Sequence, residues 1–170
     1  MNSTLPSHLR GDYQIQDSGM TLREGLAEYY QVNPCLSDPN TIEDPVSAAY
    51  FRNHDASHVF FGTHTGVLNE AINDLLTLWG VDVPYKDYIT GFTATQESKS
   101  ILKQLLNISI IVTLWQTIRL IPAVRRNAKA MTRRWPWAPP DDYYERPLCD
   151  LRTEFGYQVL CPQQSLGVDD

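Results

Sequence analysis

Cysteine is scarce in this 170-residue chain: Cys35, Cys149 and Cys161 are the whole complement. Their odd number, wide spacing and lack of a Cys-x-x-Cys pair exclude a disulfide-framed secreted scaffold and a cysteine-based zinc ribbon. Reduced thiols in a cytosolic compartment are the expectation. Nine Gly and eleven Pro are too few for collagen or low-complexity disorder. No internal repeat, dividing linker or alternating strand pattern is present. Met1–Gly11 holds one Arg and no apolar run, so neither a signal peptide nor an Arg-rich transit peptide is expected. The uncharged stretch Gln104–Ile118 has fifteen residues. As a helix it reaches roughly 22 Å against a hydrocarbon core of roughly 30 Å, which excludes a transmembrane span.

What the chain does have is a large apolar inventory: 42% hydrophobic residues, with four Trp, nine Tyr and five Phe. A chain of about 150 residues can bury such a set without covalent staples. The net charge of −6 is unevenly spread, because Ser98–Pro140 carries eight Lys or Arg and no acid, leaving −14 on the remainder. A basic patch is therefore built into an acidic protein. With that balance and no recognised nucleic-acid motif, nucleic acid is not an expected partner.

The periodicity predicts an all-α fold, one compact helical domain with a long central apolar helix. Residues 1–20 read as a flexible N-terminal tail, 21–157 as the helical metal- and lipid-binding domain, and 158–170 as a C-terminal tail. Thr21 and Glu24 form a capping box ahead of Leu22, Leu26, Tyr29 and Tyr30, and Asn33-Pro34 ends that helix. Asp44-Pro45 has the form of an N-cap followed by proline at the first helical position, predicting a helix to Gly62. Leu68, Ala71, Ile72, Leu75, Leu76 and Trp79 then mark one apolar face of a helix stopped by Gly80. Thr93-x-x-Gln96 opens a long helix to Ile121, where Pro122 makes a kink or a fresh start. Val124, Ala128, Met131 and Trp135 follow on one face, and Tyr143–Phe155 gives a short last helix.

Chemistry concentrates in His54-Asp55-Ala56-Ser57-His58. On a helix the two imidazoles lie about 40° apart and Asp55 about 60° beyond, so all three fit one arc. That arc also holds Tyr50 and Phe61, which turns the polar groups inward, where they need partners. Two imidazoles one turn apart can grip a metal ion; two satisfied core histidines fit the same spacing. Gly62 and Gly66 permit a reversal that brings Glu70 back, with eleven residues between it and His58. A carboxylate joining two imidazoles suits Zn, Mn or Fe(II) and leaves positions open for catalysis. Glu70 lies opposite the Leu68/Ile72/Leu75/Trp79 face, so it serves as a ligand only if the side carrying Asn73 and Thr77 faces the histidine helix. His64 is a further candidate on a glycine-flanked loop. His54-Asp55 is also a dyad of the HD phosphohydrolase type, but that arrangement needs another upstream His, and His8 alone precedes it.

The pattern H-D-x-x-H, eleven residues, then E, with Gly62 and Thr65 inside it, resembles the signature of the ubiquinone (coenzyme Q) biosynthesis protein 4 family. The likeness extends to Asn33-Pro34, to the apolar helix after the motif, and to Tyr143-Tyr144-Glu145-Arg146 and Leu151-Arg152-x-Glu154-x-Gly156. It spans most of residues 20–156. Two departures are the missing mitochondrial presequence of eukaryotic members and a shorter segment between Arg146 and Leu151. The resemblance implies that His54, Asp55, His58 and Glu70 are metal ligands and catalytic groups, holding a divalent ion beside a polyprenylated aromatic lipid. It implies oxidative decarboxylation, a ring carboxyl replaced by hydroxyl, with a non-catalytic prenyl-lipid-binding scaffold of a quinone biosynthesis complex as the alternative. Other quinone-biosynthesis enzymes and a second copy of the chain are the protein partners this implies.

The basic run fits that expectation. Arg119, Arg125, Arg126, Lys129 and Arg133, with Trp135 closing the run, are what an anionic membrane surface or lipid phosphate favours. A cytoplasmic protein peripherally associated with a membrane is the expectation; a merely solvated basic face is the alternative.

Overall fold

The computed structural model describes residues 9–36, 38–84, 86, 88 and 108–160, and for residues 108–113 the backbone path alone. The expected start of the long helix at Thr93, together with His8 and Cys161, lies outside the described residues. The described residues are all-α apart from one minimal ladder and an isolated bridge between Thr21 and Pro147. Helix α1 spans Leu22–Val32, α2 Pro45–Phe61, α3 Val67–Gly80, α4 Ile108–Ala130 and α5 Leu148–Phe155. Strands β1 (Val81–Asp82) and β2 (Trp135–Pro136) pair in parallel.

The helix starts follow from local hydrogen bonding. Thr21 Oγ1 accepts from Glu24 N at 3.2 Å while the Glu24 carboxylate accepts from Thr21 N at 2.8 Å, so the expected capping box forms. Asp44 accepts from Ser47 N at 2.8 Å with Pro45 at the first helical position. Gly62 ends α2 in the left-handed region at φ 68°, a conformation a Cβ would strain.

Helix α2 organises the molecule. Its residues Asp55–Phe61 are buried without interruption, so its second half is wrapped on every side. Gly25 lets α1 approach, since a Cβ there would meet Val59 Cγ1 at 2.7 Å. Phe60 stacks on Trp135 with ring centroids 3.9 Å apart, and Phe155 and Tyr157 complete this aromatic core. Helix α4 packs along α3, where Gly80 faces Ala128 and Met131.

The last turn of a helix leaves carbonyls without intrahelical partners, and buried ones must find others. Here side chains distant in sequence supply them. Arg152 donates to Val59 O and Phe60 O, both at 2.9 Å, and Tyr157 Oη donates to Phe61 O at 3.0 Å. Gln14 Nε2 reaches Gly62 O at 3.1 Å and Tyr13 Oη reaches Thr63 O at 3.1 Å. The end of α2 and the turn beyond it are thus held from both sides.

Several expectations are corrected. Residues preceding 21 are not all a tail: Asp12–Gln14 forms a 3-10 turn and Tyr13 is fully buried, because its hydroxyl caps the α2 turn. Likewise Val159 N donates to Gln16 at 2.6 Å, which ties the chain down past Tyr157. Of the two readings of Pro122, the fresh start is overturned: it sits within α4 on an exposed face, where the carbonyl it leaves unpaired can reach water. The last segment divides into a 3-10 turn, Asp141–Glu145, and α5, since Pro147 disfavours helical geometry at Arg146. Trp135 is a strand residue with no exposed surface, so it cannot sit in a membrane interface.

Candidate metal centre

The first turns of α3 fold back along the end of α2, and this brings His54, His58 and Glu70 together. One ligand atom from each lies within 4.8 Å of the others. His58 Nε2 and Glu70 Oε2 are 3.2 Å apart. The condition for Glu70 to serve is met, because Asn73 and Thr77 are buried with Ile72 and Leu76 on the inner side of α3. The apolar stripe read from the sequence is less buried than expected: Leu68, Leu75 and Trp79 are only partly covered.

Aromatic rings set the imidazole planes. Tyr50 stacks on His54 with centroids 5.7 Å apart, and Tyr29 stacks on His58 at 5.5 Å. The two imidazoles meet edge to face at 4.7 Å. Tyr50 in turn touches Tyr88 and Trp137, so the side of the centre nearest His54 is aromatic.

Asp55 stands beside this group. Its Oδ2 accepts from Tyr30 Oη at 2.8 Å and its Oδ1 lies 3.8 Å from His54 Nδ1. The arrangement places Asp55 to orient His54, and the three converging ligand atoms come from His54, His58 and Glu70. His64 is elsewhere engaged, with Gly66 N donating to its Nδ1 at 2.9 Å and the Asn69 amide at 3.1 Å from its Nε2. Burial and the neighbouring Arg10 push its pKa down to about 4.

The charges are matched across the centre. Burial disfavours the charged ring of His54, yet contact with Asp55 and the negative field of Glu70 outweigh it and hold its pKa above the ordinary value. Burial likewise works against the Glu70 carboxylate, but His58, His54 and His64 hold its pKa below the ordinary value. A cation is what such a set favours.

His58 gives the sharper test of fit. It is fully buried, and its Nε2 has no hydrogen-bond partner; the contact with Glu70 is not aligned as a hydrogen bond. An orphaned buried nitrogen 3.2 Å from a carboxylate oxygen is costly unless a positive centre joins them. Two donors that each bind one ion at about 2.1 Å stand about 3 Å apart, so a shared divalent ion fits these residues.

Sequence reasoning did not single out Thr63, which bonds His58 Nδ1, or Ser57, which bonds His54 O and Asn73, or assign a role to Tyr29 and Tyr30. The available signal was the same arc that placed His54 and His58 inward: any hydroxyl or amide within reach of it must be partnered. Of the basic set, Arg133 is tied to Glu154 and Tyr143. Arg119 lies over the Trp115 ring, and Arg125, Arg126 and Lys129 are exposed. No helix among the described residues is long and apolar enough to cross a membrane. The chain matches no protein-family model, no curated protein and no solved structure.

Proposed function

We propose that the chain holds one divalent ion, zinc, iron or manganese, on His54, His58 and Glu70, and acts there on a polyprenylated aromatic acid of the ubiquinone type. The observation that carries the metal is the convergence of three ligand atoms around a buried, unpartnered His58 Nε2. The substrate class rests on the resemblance of the motif to the ubiquinone biosynthesis protein 4 family. When bound, the ion supplies Lewis acidity toward a ring carboxylate and an adjacent phenolic oxygen. Glu70 and the two imidazoles fix its position, Asp55 orients His54, and the rings of Tyr50 and Trp137 give an aromatic substrate an apolar side to lie against.

The proposed net reaction exchanges the ring carboxyl for a hydroxyl. Carbon dioxide leaves and one atom of dioxygen joins the ring, a two-electron oxidation of the substrate. The second oxygen atom becomes water with two electrons from a reductant such as ascorbate. In air, with iron- or manganese-loaded protein and ascorbate, a prenylated 4-hydroxybenzoate is expected to release carbon dioxide and gain one hydroxyl. Glu70→Gln should lower turnover at least about 100-fold while leaving lipid affinity unchanged. Tight binding without turnover on iron, manganese or zinc would favour the scaffold reading instead.

A specific observation supports that second reading. Leu114, Trp115 and Ile118 are 58%, 62% and 55% exposed beside Arg119 on α4, and the basic Arg125, Arg126 and Lys129 follow. Apolar anchors next to cations suit an anionic membrane surface, and a scaffold would use it to hold other quinone-biosynthesis enzymes there. Reversing Arg125, Arg126 and Lys129 to Glu is expected to abolish sedimentation with phosphatidylserine-containing vesicles at unchanged helicity. Equal sedimentation of both proteins would identify the basic face as merely solvated.

A further inference from the structure

Four buried side chains behind the metal centre form a hydrogen-bond chain whose direction can be worked out from donor capacity and distance. Ser57 Oγ lies 2.6 Å from His54 O. Its one proton has two acceptors in reach, His54 O and Asn73 Oδ1 at 3.4 Å, and the far shorter contact assigns it to His54 O. Ser57 Oγ must then accept from Asn73 Nδ2, 3.1 Å away. That fixes the amide orientation and turns Asn73 Oδ1 toward Thr63 Oγ1 at 3.2 Å. An amide oxygen only accepts, so the Thr63 proton goes to Asn73. What Thr63 Oγ1 offers His58 Nδ1, 2.8 Å away, is a lone pair. Nδ1 therefore carries a ring proton, which leaves Nε2, the nitrogen facing Glu70, as the one that can bind an ion.

We propose that Thr63, held by Asn73 and Ser57, is a positioning residue that fixes the ring proton of His58 on Nδ1. The lock gives its buried Nε2 to a divalent ion. The consequence for affinity rests on the metal reading above; the tautomer does not. Ser57, His58 and Asn73 have no exposed surface and Thr63 is 3% exposed, so water cannot substitute for a missing link. The chain also couples the two ligand-bearing helices: Asn73 rides on α3 one turn beyond Glu70, and Ser57 rides on α2 beside His58. A shift of α3 that moved Glu70 would pull Asn73 from Thr63 and release the tautomer.

The test uses full-length, metal-free protein labelled with nitrogen-15 in histidine, with His58 assigned by its loss in His58→Gln. At a pH where the ring is neutral, His58 in wild type and Thr63→Ser should show a protonated Nδ1 and a bare Nε2. Thr63→Val keeps the side-chain shape but removes the acceptor, and should transfer the proton to Nε2. Zinc affinity, read by competition with a chromophoric chelator, should fall about 10–100-fold in Thr63→Val and stay near wild type in Thr63→Ser. An Nε2–H His58 in wild type would overturn the proposal, as would unchanged tautomer and affinity in folded Thr63→Val. The expected tautomer in a wild type that binds no zinc would uphold the lock and overturn the metal reading.

Discussion

Arg152→Leu should lower the unfolding free energy by about 3–5 kcal/mol, the scale seen when a buried polar network loses its charged member. The guanidinium has no exposed surface, and it donates to Tyr13 O at 2.6 Å and Ile15 O at 2.5 Å as well as to Val59 O and Phe60 O. Burial pulls its pKa down to about 10, so it remains charged at neutral pH. Leucine would fill part of the volume and take a donor from four carbonyls, of which Ile15 O and Val59 O keep the N–H of Ser18 and Gly62. Arg152→Lys should be intermediate, because an ammonium has three donors in a different geometry. Urea denaturation monitored by tryptophan fluorescence checks this; a loss below about 1 kcal/mol would mean that water replaces the guanidinium.

The second large effect concerns metal. One zinc per chain is expected in protein purified without a histidine tag, and none in the His54→Ala/His58→Ala double variant. Zinc at about 100 times its dissociation constant should stabilise wild type by about 2.7 kcal/mol and leave the variant unmoved. Full occupancy in the variant would remove the centre from consideration. The pH dependence has a definite sign. The His54 pKa lies above its ordinary value while Glu70 lies below its own, so at pH 6 His54 is charged and Glu70 ionised. Zinc must displace the His54 proton, and its apparent affinity falls as pH falls through that raised pKa. Calorimetry at pH 6 in two buffers of different ionisation enthalpy should show net proton release. Identical heats after dilution correction would contradict this.

Local signals were legible in the sequence wherever the physics is local. Thr21 with Glu24, Asp44 with Pro45, and Gly62 each act within one turn, and each does what its chemistry dictates. The approach of His54, His58 and Glu70 was also readable, because helical spacing and a glycine turn suffice to bring them together. Trp135 was not, since an aromatic beside arginines looks the same at an interface and in a core; its partner Phe60 lies 75 residues away. Nor was the role of Thr63, because its partner Asn73 counts as surface until α3 is turned to face α2. Tyr13 was missed because a short polar segment carries no periodicity; its burial follows from the Thr63 carbonyl its hydroxyl caps and the Tyr29 ring it meets edge-on.

The capping of α2 also says when the centre can exist. Hydrogen bonds that hold the turn after His58 join residues 50, 93, 96 and 139 positions apart, counting Arg152 to Tyr13. Such closures are entropically late events, slow to form relative to helix turns. A growing chain that has emitted His54, His58 and Glu70 still lacks Arg152 and Tyr157, so it possesses the ligands without the rigid turn that spaces them. The proposed centre therefore waits on the docking of α5, and an ion caught earlier would be held by a loose chelate whose geometry the protein had not yet chosen.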